Sequence, residues 1–469
     1  MRISCPVPKG APPMTSEMQI SVRALGDVLS FHDACRVVAG LMTLRDQARK
    51  HPQSGQGVWW NHLLTQAGKT QQQMGPLVRN CLLQSQDEEG RAFVPRLPPT
   101  ADDALRRLVK AADRVDDLGD CLNQSFQDLS EMHAKAGDYF TRNDVARLMV
   151  AAVDPQEGQR VLDPVCGSAG LLIGAAQYVS ERTGRASTLD LTGQDVHASM
   201  LHVARMNLTA RNLDARLLEP MDSLAQPFES SYDIILANPP FNGSWSPDRR
   251  ASDPSWWDAE TAPPRDNANL AWILHILHAL APRGRAAILM AEGAATGARQ
   301  VEQRFRGRLV DEDVVECVVA LPPGLFTHSR APCCLWLLNT DKGPHGDWGS
   351  SDRRGKVLFI NARTAYEPVP GSRKRRLSPE GVEQVLHTLE AWREAAGQYR
   401  DEPGRCRSVH AEEIAGQRYD LQPPRYTDEL SPDDAPDQRQ IHELTAKLRD
   451  KFEEAHALEA DLLRILDEL

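Results

Sequence analysis

Two short segments combine residue types that could build a ligand site. The first is Asp163-Pro164-Val165-Cys166-Gly167-Ser168-Ala169-Gly170, which follows the apolar pair Val161-Leu162 and precedes a helical run. Small residues at a strand-to-helix turn allow a ligand to approach the backbone closely. Asp195 ends the next predicted strand, and an acid at that position typically bonds ribose hydroxyls. Neither GKS nor GKT follows this loop, so the pattern favours a nucleoside ligand without a pyrophosphate.

The second segment is Asn238-Pro239-Pro240-Phe241, which follows the apolar strand candidate Asp233-Ile234-Ile235-Leu236-Ala237. Two prolines restrict the turn and remove two backbone donors. The acceptors that remain, the Asn238 side-chain oxygen and the Pro239 carbonyl, suit an amino group that must lose planarity and expose its lone pair. Phe241 offers a face for a planar base, and such stacking contributes roughly 1–3 kcal/mol per base. The segment therefore predicts chemistry on an exocyclic amino group.

Other reactive side chains are better explained by packing. Pro332-Cys333 could present a nucleophile, but it enters the apolar strand candidate 335–338, so a core cysteine is expected. Cys166 occupies a position where a small side chain suffices. His275 and His278 are three apart on a predicted helix, and no third metal ligand is evident. No metal site is predicted.

A sheet must bring the two segments together. Between about 137 and 365, short apolar runs alternate with helical patterns such as 199–212 and 269–280. This alternation predicts a doubly wound, mainly parallel α/β sheet. Ligands in such sheets bind at the carboxyl ends of the strands, where both segments would lie. The predicted strands are 160–162, 189–192, 233–237, 286–290, 314–321, 335–338 and 357–360.

The flanking regions show different patterns. The first fifteen residues are rich in proline, which predicts disorder, and 21–129 carries apolar residues at helical spacing. Residues 366–436 are rich in proline, glycine and charge. Over about 437–469, apolar residues recur at spacings of three and four, which predicts one long helix with an apolar seam. Such a seam needs a partner, on this chain or on another subunit.

Composition limits the class of protein. The 469 residues carry 54 basic and 65 acidic side chains, a net charge of −11, whereas a chain that grips DNA alone is usually basic. If nucleic acid is the substrate, a local patch or a second subunit must supply the grip. Nine scattered cysteines without a CxxC pair predict reduced thiols and a cytoplasmic protein. No apolar run is long enough to predict a membrane span.

Taken together, these segments resemble the adenine-N6 DNA methyltransferases, and most closely the modification subunit of type I restriction–modification systems. The resemblance covers roughly residues 100–469. It rests on the Asp163–Gly170 loop, the Asn238–Phe241 turn and several shorter stretches. These are Gly137–Arg142, Gly193-Gln194-Asp195, Met221-Asp222-Ser223-Leu224, 269–280 with Trp272 and His275, Arg418–Leu421, Arg425-Tyr426 and the C-terminal helix.

The resemblance implies a Rossmann-like, S-adenosylmethionine-dependent methyltransferase domain at 135–370. It would follow a helical N-terminal domain at 1–134 and precede a C-terminal tail at 371–469. The implied reaction is methyl transfer to N6 of an adenine flipped out of double-stranded DNA. The residues implied to be catalytic are Asn238, Pro239, Pro240 and Phe241. Those implied to bind the cofactor are Tyr139, Phe140, Thr141, Asp163, Pro164, Cys166, Gly167, Ser168, Gly170, Asp195, Asp222 and Asn238.

The resemblance also implies partner subunits, although three residues differ from the family pattern and other functions stay open. The partners would be a DNA specificity subunit on the C-terminal helix, a second copy of the chain and a restriction nuclease subunit. Arg142 stands in place of the usual proline, and Ala169 and Met221 in place of glycines; Ala169 would be costly at positive φ. The motif also leaves open methylation of RNA guanine N2 or of a protein glutamine, and a catalytically silent regulatory subunit.

Overall fold

The computed structural model describes most of the chain, and contacts divide the chain into two units, 1–427 and 428–469. In the second unit only Asp428 and Lys451 are described, so the predicted terminal helix lies outside the described residues and stays a prediction. The first fifteen residues also lie outside. The described residues are 16–69, 73–133, 141–225, 228, 231–243, 245, 263–264, 266–325, 332–345, 349–369, 375–428 and 451.

The N-terminal region is helical, as its periodicity predicts. Side-chain caps define several helix starts: Ser30 accepts from the Asp33 amide and Asp117 from the Asp120 amide. Trp60 is buried and donates to Asp113 at 2.9 Å, so it packs within the helical region. The helices are α1 (Ser16–Gly26), α2 (Phe31–Lys50), α3 (Gly55–Ala67), α4 (Met74–Ser85), α5 (Glu88–Arg91), α6 (Asp102–Asp113) and α7 (Leu118–Met132).

The rest of the first unit alternates strands and helices. The strands are β1 (Arg160–Asp163), β2 (Asp190–Gly193), β3 (Arg216–Leu217), β4 (Tyr232–Ala237), β5 (Leu280–Ala291), β6 (Val315–Ala320), β7 (Cys333–Asn339), β8 (Lys356–Asn361), β9 (Tyr366–Pro368), β10 (Arg375–Leu377) and β11 (Cys406–His410). The helices are α8 (Asn143–Val153), α9 (Gly170–Thr183), α10 (Ala198–Thr209), α11 (Asn269–Ala279), α12 (Gly293–Thr296), α13 (Gln300–Asp311), α14 (Pro379–Arg393), α15 (Ala411–Gly416) and α16 (Pro424–Thr427).

Within the described residues, nine strands form the main sheet in the order β11-β8-β6-β7-β5-β4-β1-β2-β3. The pairs on either side of β1 are parallel, as are β4 with β5 and β6 with β8. β7 is antiparallel to both its neighbours, and β11 is antiparallel to β8. The sheet is therefore parallel-rich, which confirms the predicted fold class. β1 and β4 are neighbours, so their carboxyl ends lie at the same edge.

The central strands are buried on both faces. Every residue of β6 and β7 is buried, as expected for strands covered by helices on each side. Helices α8 and α9 pack on one face, and α11 and α13 contribute to the core on the other. Among the described helices, none combines the length and the apolar character that a membrane crossing requires.

The structure contains elements that the sequence does not predict. The short strands β3, β9 and β10 and the strand β11 are not among the predicted strands. Residues 366–436, which are rich in proline, glycine and charge, contain α14 and contribute β11 to the main sheet. The domain limits at 134 and 370 remain predictions, although the main sheet extends past residue 370.

Candidate active site

The loop after β1 begins with a buried acid. Asp163 is 2% exposed, and one of its carboxylate oxygens accepts from the Val165 amide at 3.0 Å. Burial raises the pKa of Asp163 to about 8, the Val165 hydrogen bond opposes this, and nearby Asp195 adds to it. A cation bound near Asp163 would favour the ionised carboxylate.

Backbone hydrogen bonds join this loop to the end of β2. The Cys166 amide donates to the Gln194 carbonyl at 2.7 Å, and the Gly167 amide donates to the Asp195 carboxylate at 3.1 Å. The other Asp195 oxygen accepts from the His197 amide at 2.8 Å. The two predicted cofactor segments are therefore brought together, with the predicted ribose acid between them.

The open side of the loop leaves room for a ligand. Gly167 has a φ of +50°, and a Cβ built on Gly167 or on Gly170 would meet no described heavy atom within 4 Å. A backbone that is exposed in this way can approach a ligand closely. These observations fit a small-molecule cofactor held against the loop.

Ala169 adopts the conformation that glycine favours. Its φ of +65° places it in the left-handed region, immediately before α9. This conformation explains why the family has glycine at this position, and it makes alanine here energetically costly. By contrast, Arg142 keeps a φ of −61°, which suits the proline it replaces, and its guanidinium pairs with Asp144 at 3.1 Å.

A third segment, after β3, supports the loop. The Ser223 hydroxyl donates to the Pro164 carbonyl at 2.5 Å, and the Asp222 carboxylate accepts from the Leu224 amide at 3.0 Å. The Met221 amide donates to the Asp195 carbonyl at 3.2 Å. Met221 therefore keeps a bridging backbone contact despite its departure from the family glycine.

The Asn238–Phe241 turn after β4 presents a buried acceptor. Asn238 is 7% exposed, and its Nδ2 donates to the Thr141 hydroxyl at 3.0 Å. Its Oδ1 is buried and has no hydrogen-bond partner among the described residues. Such an oxygen carries a desolvation cost that a donor from a ligand would offset. Thr141, predicted to contact the cofactor, thus orients the amide.

The rest of the turn is held by α11. Pro239 is buried, Pro240 is exposed, and Phe241 is half-buried against the core. Asn269, almost fully buried, accepts from the Asn242 amide at 2.9 Å and donates to the Asn242 side chain at 2.8 Å. This reciprocal pair fixes the backbone directly after Phe241, where Asn242 has a φ of +56°.

Several supporting residues were not predicted as part of the site. Asn207 of α10 donates to the Ser168 carbonyl at 2.7 Å. No local pattern marks this role of Asn207, because the two residues are far apart in sequence. Ser223 and Asn269, which lie in stretches that carry the family resemblance, also contact distant backbone atoms. Tyr139 and Phe140, predicted to bind the cofactor, lie outside the described residues.

The weaker candidates are part of the core. Cys333 is 3% exposed on β7, and burial raises its pKa to about 12. Burial also raises the pKa of the Cys166 thiol well above its usual value. His275 is 1% exposed and packs between Trp272 and Phe228. These environments agree with the expected packing roles.

The arrangement defines a class of protein. An acidic glycine-containing loop after β1, an acid after β2 and a polar turn after the neighbouring β4 share the carboxyl edge of a doubly wound sheet. A doubly wound sheet binds its ligands at this edge, and the layout fits the Rossmann-like methyltransferase fold that the sequence predicts.

Comparison with known proteins identifies the family. A family model described as N-6 DNA Methylase matches residues 113–434. The methylase subunit of the type I restriction enzyme HindI from Haemophilus influenzae is 33% identical over 342 residues, which cover 71% of this chain and 73% of that protein. The methylase subunit of MjaIX from Methanocaldococcus jannaschii is 29% identical over 341 residues, 71% of this chain and 59% of its own length.

A solved structure supports the fold. The methyltransferase subunit of a type I restriction–modification system from Streptococcus thermophilus aligns with a TM-score of 0.67 at 20% identity, over 88% of this chain and 98% of that one. The chain therefore belongs to the N-6 DNA methylase family. Its activity is that of an adenine-specific DNA methyltransferase subunit of the type I class, which confirms the prediction from the motifs.

Proposed function

We propose that this site transfers a methyl group from S-adenosylmethionine to the N6 amino group of a DNA adenine, with Asn238 as the central catalytic residue. One observation carries the proposal: the buried Asn238 Oδ1 lacks a partner, while Thr141 holds the other end of the amide. An oxygen in this state accepts a donor at little reorganisation cost.

The neighbouring residues complete the amino-group site. Asn238 Oδ1 and the Pro239 carbonyl would accept from the adenine amino group, which keeps its lone pair free to attack. Phe241 would stack on the base, with Tyr139 or Phe140 as the second aromatic. Alignment of this kind supplies much of the rate in a transfer between two bound groups.

The cofactor would occupy the edge beside β1 and β2. When bound, S-adenosylmethionine supplies the activated methyl group. Asp195 would bond the ribose hydroxyls and Asp222 would lie near the adenine of the cofactor. The binding surface would be lined by the backbone of Pro164, Cys166, Gly167, Ser168 and Gly170. Asp163 would lie at its base. Neither a metal nor a covalent enzyme intermediate is part of this scheme.

Partners would supply DNA specificity. The net charge of −11 makes unassisted DNA binding unfavourable. We assign the reading of the DNA sequence to a specificity subunit that binds the predicted helix at 437–469. A second copy of the chain and a restriction nuclease subunit would complete the complex, and a cytoplasmic location follows from that role.

The Asn238→Ala variant tests the assignment. We expect it to bind S-adenosylmethionine within about twofold of the wild-type affinity and to lose at least about a hundredfold in methyl transfer, because its acceptor acts on the substrate amino group. The measurements are titration calorimetry for the cofactor and transfer of radiolabelled methyl to DNA, RNA and protein in the presence of the specificity subunit.

Asn61→Ala provides a matched control, since Asn61 is an exposed residue of α3. This variant should keep the wild-type affinity for S-adenosylmethionine and the wild-type rate of methyl transfer. A normal transfer rate in Asn238→Ala would show that the acceptor role is wrongly assigned. Label found in RNA or protein, and absent from DNA, would contradict the substrate.

A further inference from the structure

Helix α10 belongs to two hydrophobic cores. One set of its side chains lies in the core of the N-terminal helices, and another lies in the core of the main sheet. The first set is Met200, Val203 and Met206. The second set is Leu201, Ala204 and Leu208. A helix packed in this way fixes the N-terminal helices against the sheet.

The same helix supports the cofactor loop directly. Asn207 is fully buried, and its Nδ2 donates to the Ser168 carbonyl at 2.7 Å. Ser168 is one of the residues proposed to line the cofactor site. Loss of this hydrogen bond would leave a buried carbonyl without its side-chain donor, which is costly.

Arg211 connects Asn207 to the N-terminal helices. Its guanidinium donates to the Asn207 side-chain oxygen and to the Gly119 carbonyl in the first turn of α7. A Cβ on Gly119 would lie 2.9 Å from the guanidinium, so glycine permits this close approach. Burial lowers the pKa of Arg211 to about 10, which leaves it charged at neutral pH.

A second contact reaches the other cofactor segment. The rings of His197 and His32 lie 5.2 Å apart, and His32 belongs to α2. The His197 amide donates to the Asp195 carboxylate. The N-terminal helices are therefore linked to both segments proposed to hold the cofactor, to one through Arg211 and Asn207 and to the other through His197.

We propose that Asn207 and Arg211 are positioning residues through which the N-terminal helices, 16–133, hold the cofactor loop in its binding conformation. The affinity for S-adenosylmethionine then depends on a contact made outside the sheet. This inference rests on the proposed function, because it takes the Asp163–Gly170 loop as the cofactor site.

Calorimetric titration of the full-length chain with S-adenosylmethionine tests the proposal, using Arg211→Met, Asn207→Ala and the double variant. We expect each single variant to weaken binding about tenfold, the effect of losing one buried hydrogen bond. Since Arg211 acts through Asn207, the double variant should bind no more weakly than Asn207→Ala.

Arg23→Met is the matched control. Arg23 pairs with Asp128 at 3.2 Å inside the N-terminal helices, away from α10. It should lower the melting temperature and leave the dissociation constant unchanged. If Asn207→Ala does not fold, the comparison of Arg211→Met with Arg23→Met still decides the question.

Wild-type affinity in Arg211→Met, or the same change in Arg23→Met, would overturn this proposal while the proposed function stands. A wild-type chain that binds no S-adenosylmethionine would overturn the proposed function, and this inference with it.

Discussion

Asp163 illustrates how burial at a single residue links ligand binding to pH. Its pKa of about 8 means that the free protein holds a proton there at neutral pH. The sulfonium of S-adenosylmethionine is a fixed positive charge that favours the carboxylate. Binding should therefore release a proton below pH 8, and the affinity should rise as the pH increases from 6.5 to 8 and then level off.

Calorimetry in buffers of different ionisation enthalpy measures the released proton directly. The Asp163→Asn variant, which cannot ionise, should bind more weakly and show no such pH dependence. Equal wild-type affinity at pH 6.5 and pH 8 would refute this role for Asp163.

Ala169 offers a second prediction at this scale. An alanine in the left-handed region costs roughly 1–2 kcal/mol, and part of that is offset because glycine makes the unfolded chain more flexible. We expect Ala169→Gly to raise the free energy of unfolding by about 0.5–1 kcal/mol, as measured by urea denaturation. Ala24→Gly, within α1, should lower it by about 1 kcal/mol. A destabilised Ala169→Gly would contradict the strain argument.

Residue types predict the candidate catalytic and cofactor-binding groups, but not all of the residues that support them. The local sequence is enough to predict a role for Asn238, which is followed by two prolines, and for Asp163, which is followed by small residues. The sequence predicts Thr141 at the cofactor but not its contact with Asn238, and the contacts of Asn207 and Asn269 likewise join atoms that come close only in the folded chain. A single sequence contains no local signal for such long-range pairs.

At the scale of elements, a buried charge cluster fastens α14 to the sheet. Glu316 of β6 is fully buried and accepts from Arg393 of α14 at 2.7 Å and from Arg353 at 3.1 Å. Arg393 also donates to the Ala152 carbonyl at the end of α8 at 2.7 Å. Despite burial, these guanidinium groups lower the pKa of Glu316 to about 2. The cluster thus joins a strand and two helices.

Replacing Glu316 with glutamine should destabilise the protein by about 3–5 kcal/mol, because it leaves buried guanidinium groups without their counter-charge. The depressed pKa means that the stabilisation is present above the unfolded pKa and is lost as the pH falls toward 2. Urea denaturation at pH 7 measures the change. Glu413→Gln, which breaks an exposed pair with Arg407, should cost less than about 1 kcal/mol. Similar free energies of unfolding for the Glu316→Gln and Glu413→Gln variants would show that the buried charge cluster does not stabilise the fold.

Element prediction succeeded where burial dictated the pattern. The apolar runs that became β1, β4 and β7 are continuous because those strands are covered on both faces. β11 was missed because it lies at the sheet edge, with two buried positions among polar ones. α14 was missed in a segment of mixed composition, although Ser378 caps it and Pro379 begins it.

At the level of the whole molecule, we predict that DNA recognition depends on a second subunit. Deleting residues 437–469 should release the specificity subunit and leave S-adenosylmethionine binding intact, because the proposed cofactor site lies within 1–427. Co-purification and calorimetry measure the two effects.

Leu458→Glu on the apolar seam should weaken the complex, whereas Glu459→Gln beside it should not. Loss of the folded domain on deletion would instead indicate packing of this helix on its own chain.

We expect this chain to methylate adenine N6 only together with a partner subunit. Modified-base sequencing of DNA from a host without other adenine methylation, after co-expression of this chain with its specificity subunit, tests this expectation. We predict N6-methyladenine at one bipartite sequence. This modification should be absent when the specificity subunit is omitted or when the chain carries Asn238→Ala. Unmodified DNA from cells that contain a soluble, cofactor-binding complex would contradict this expectation.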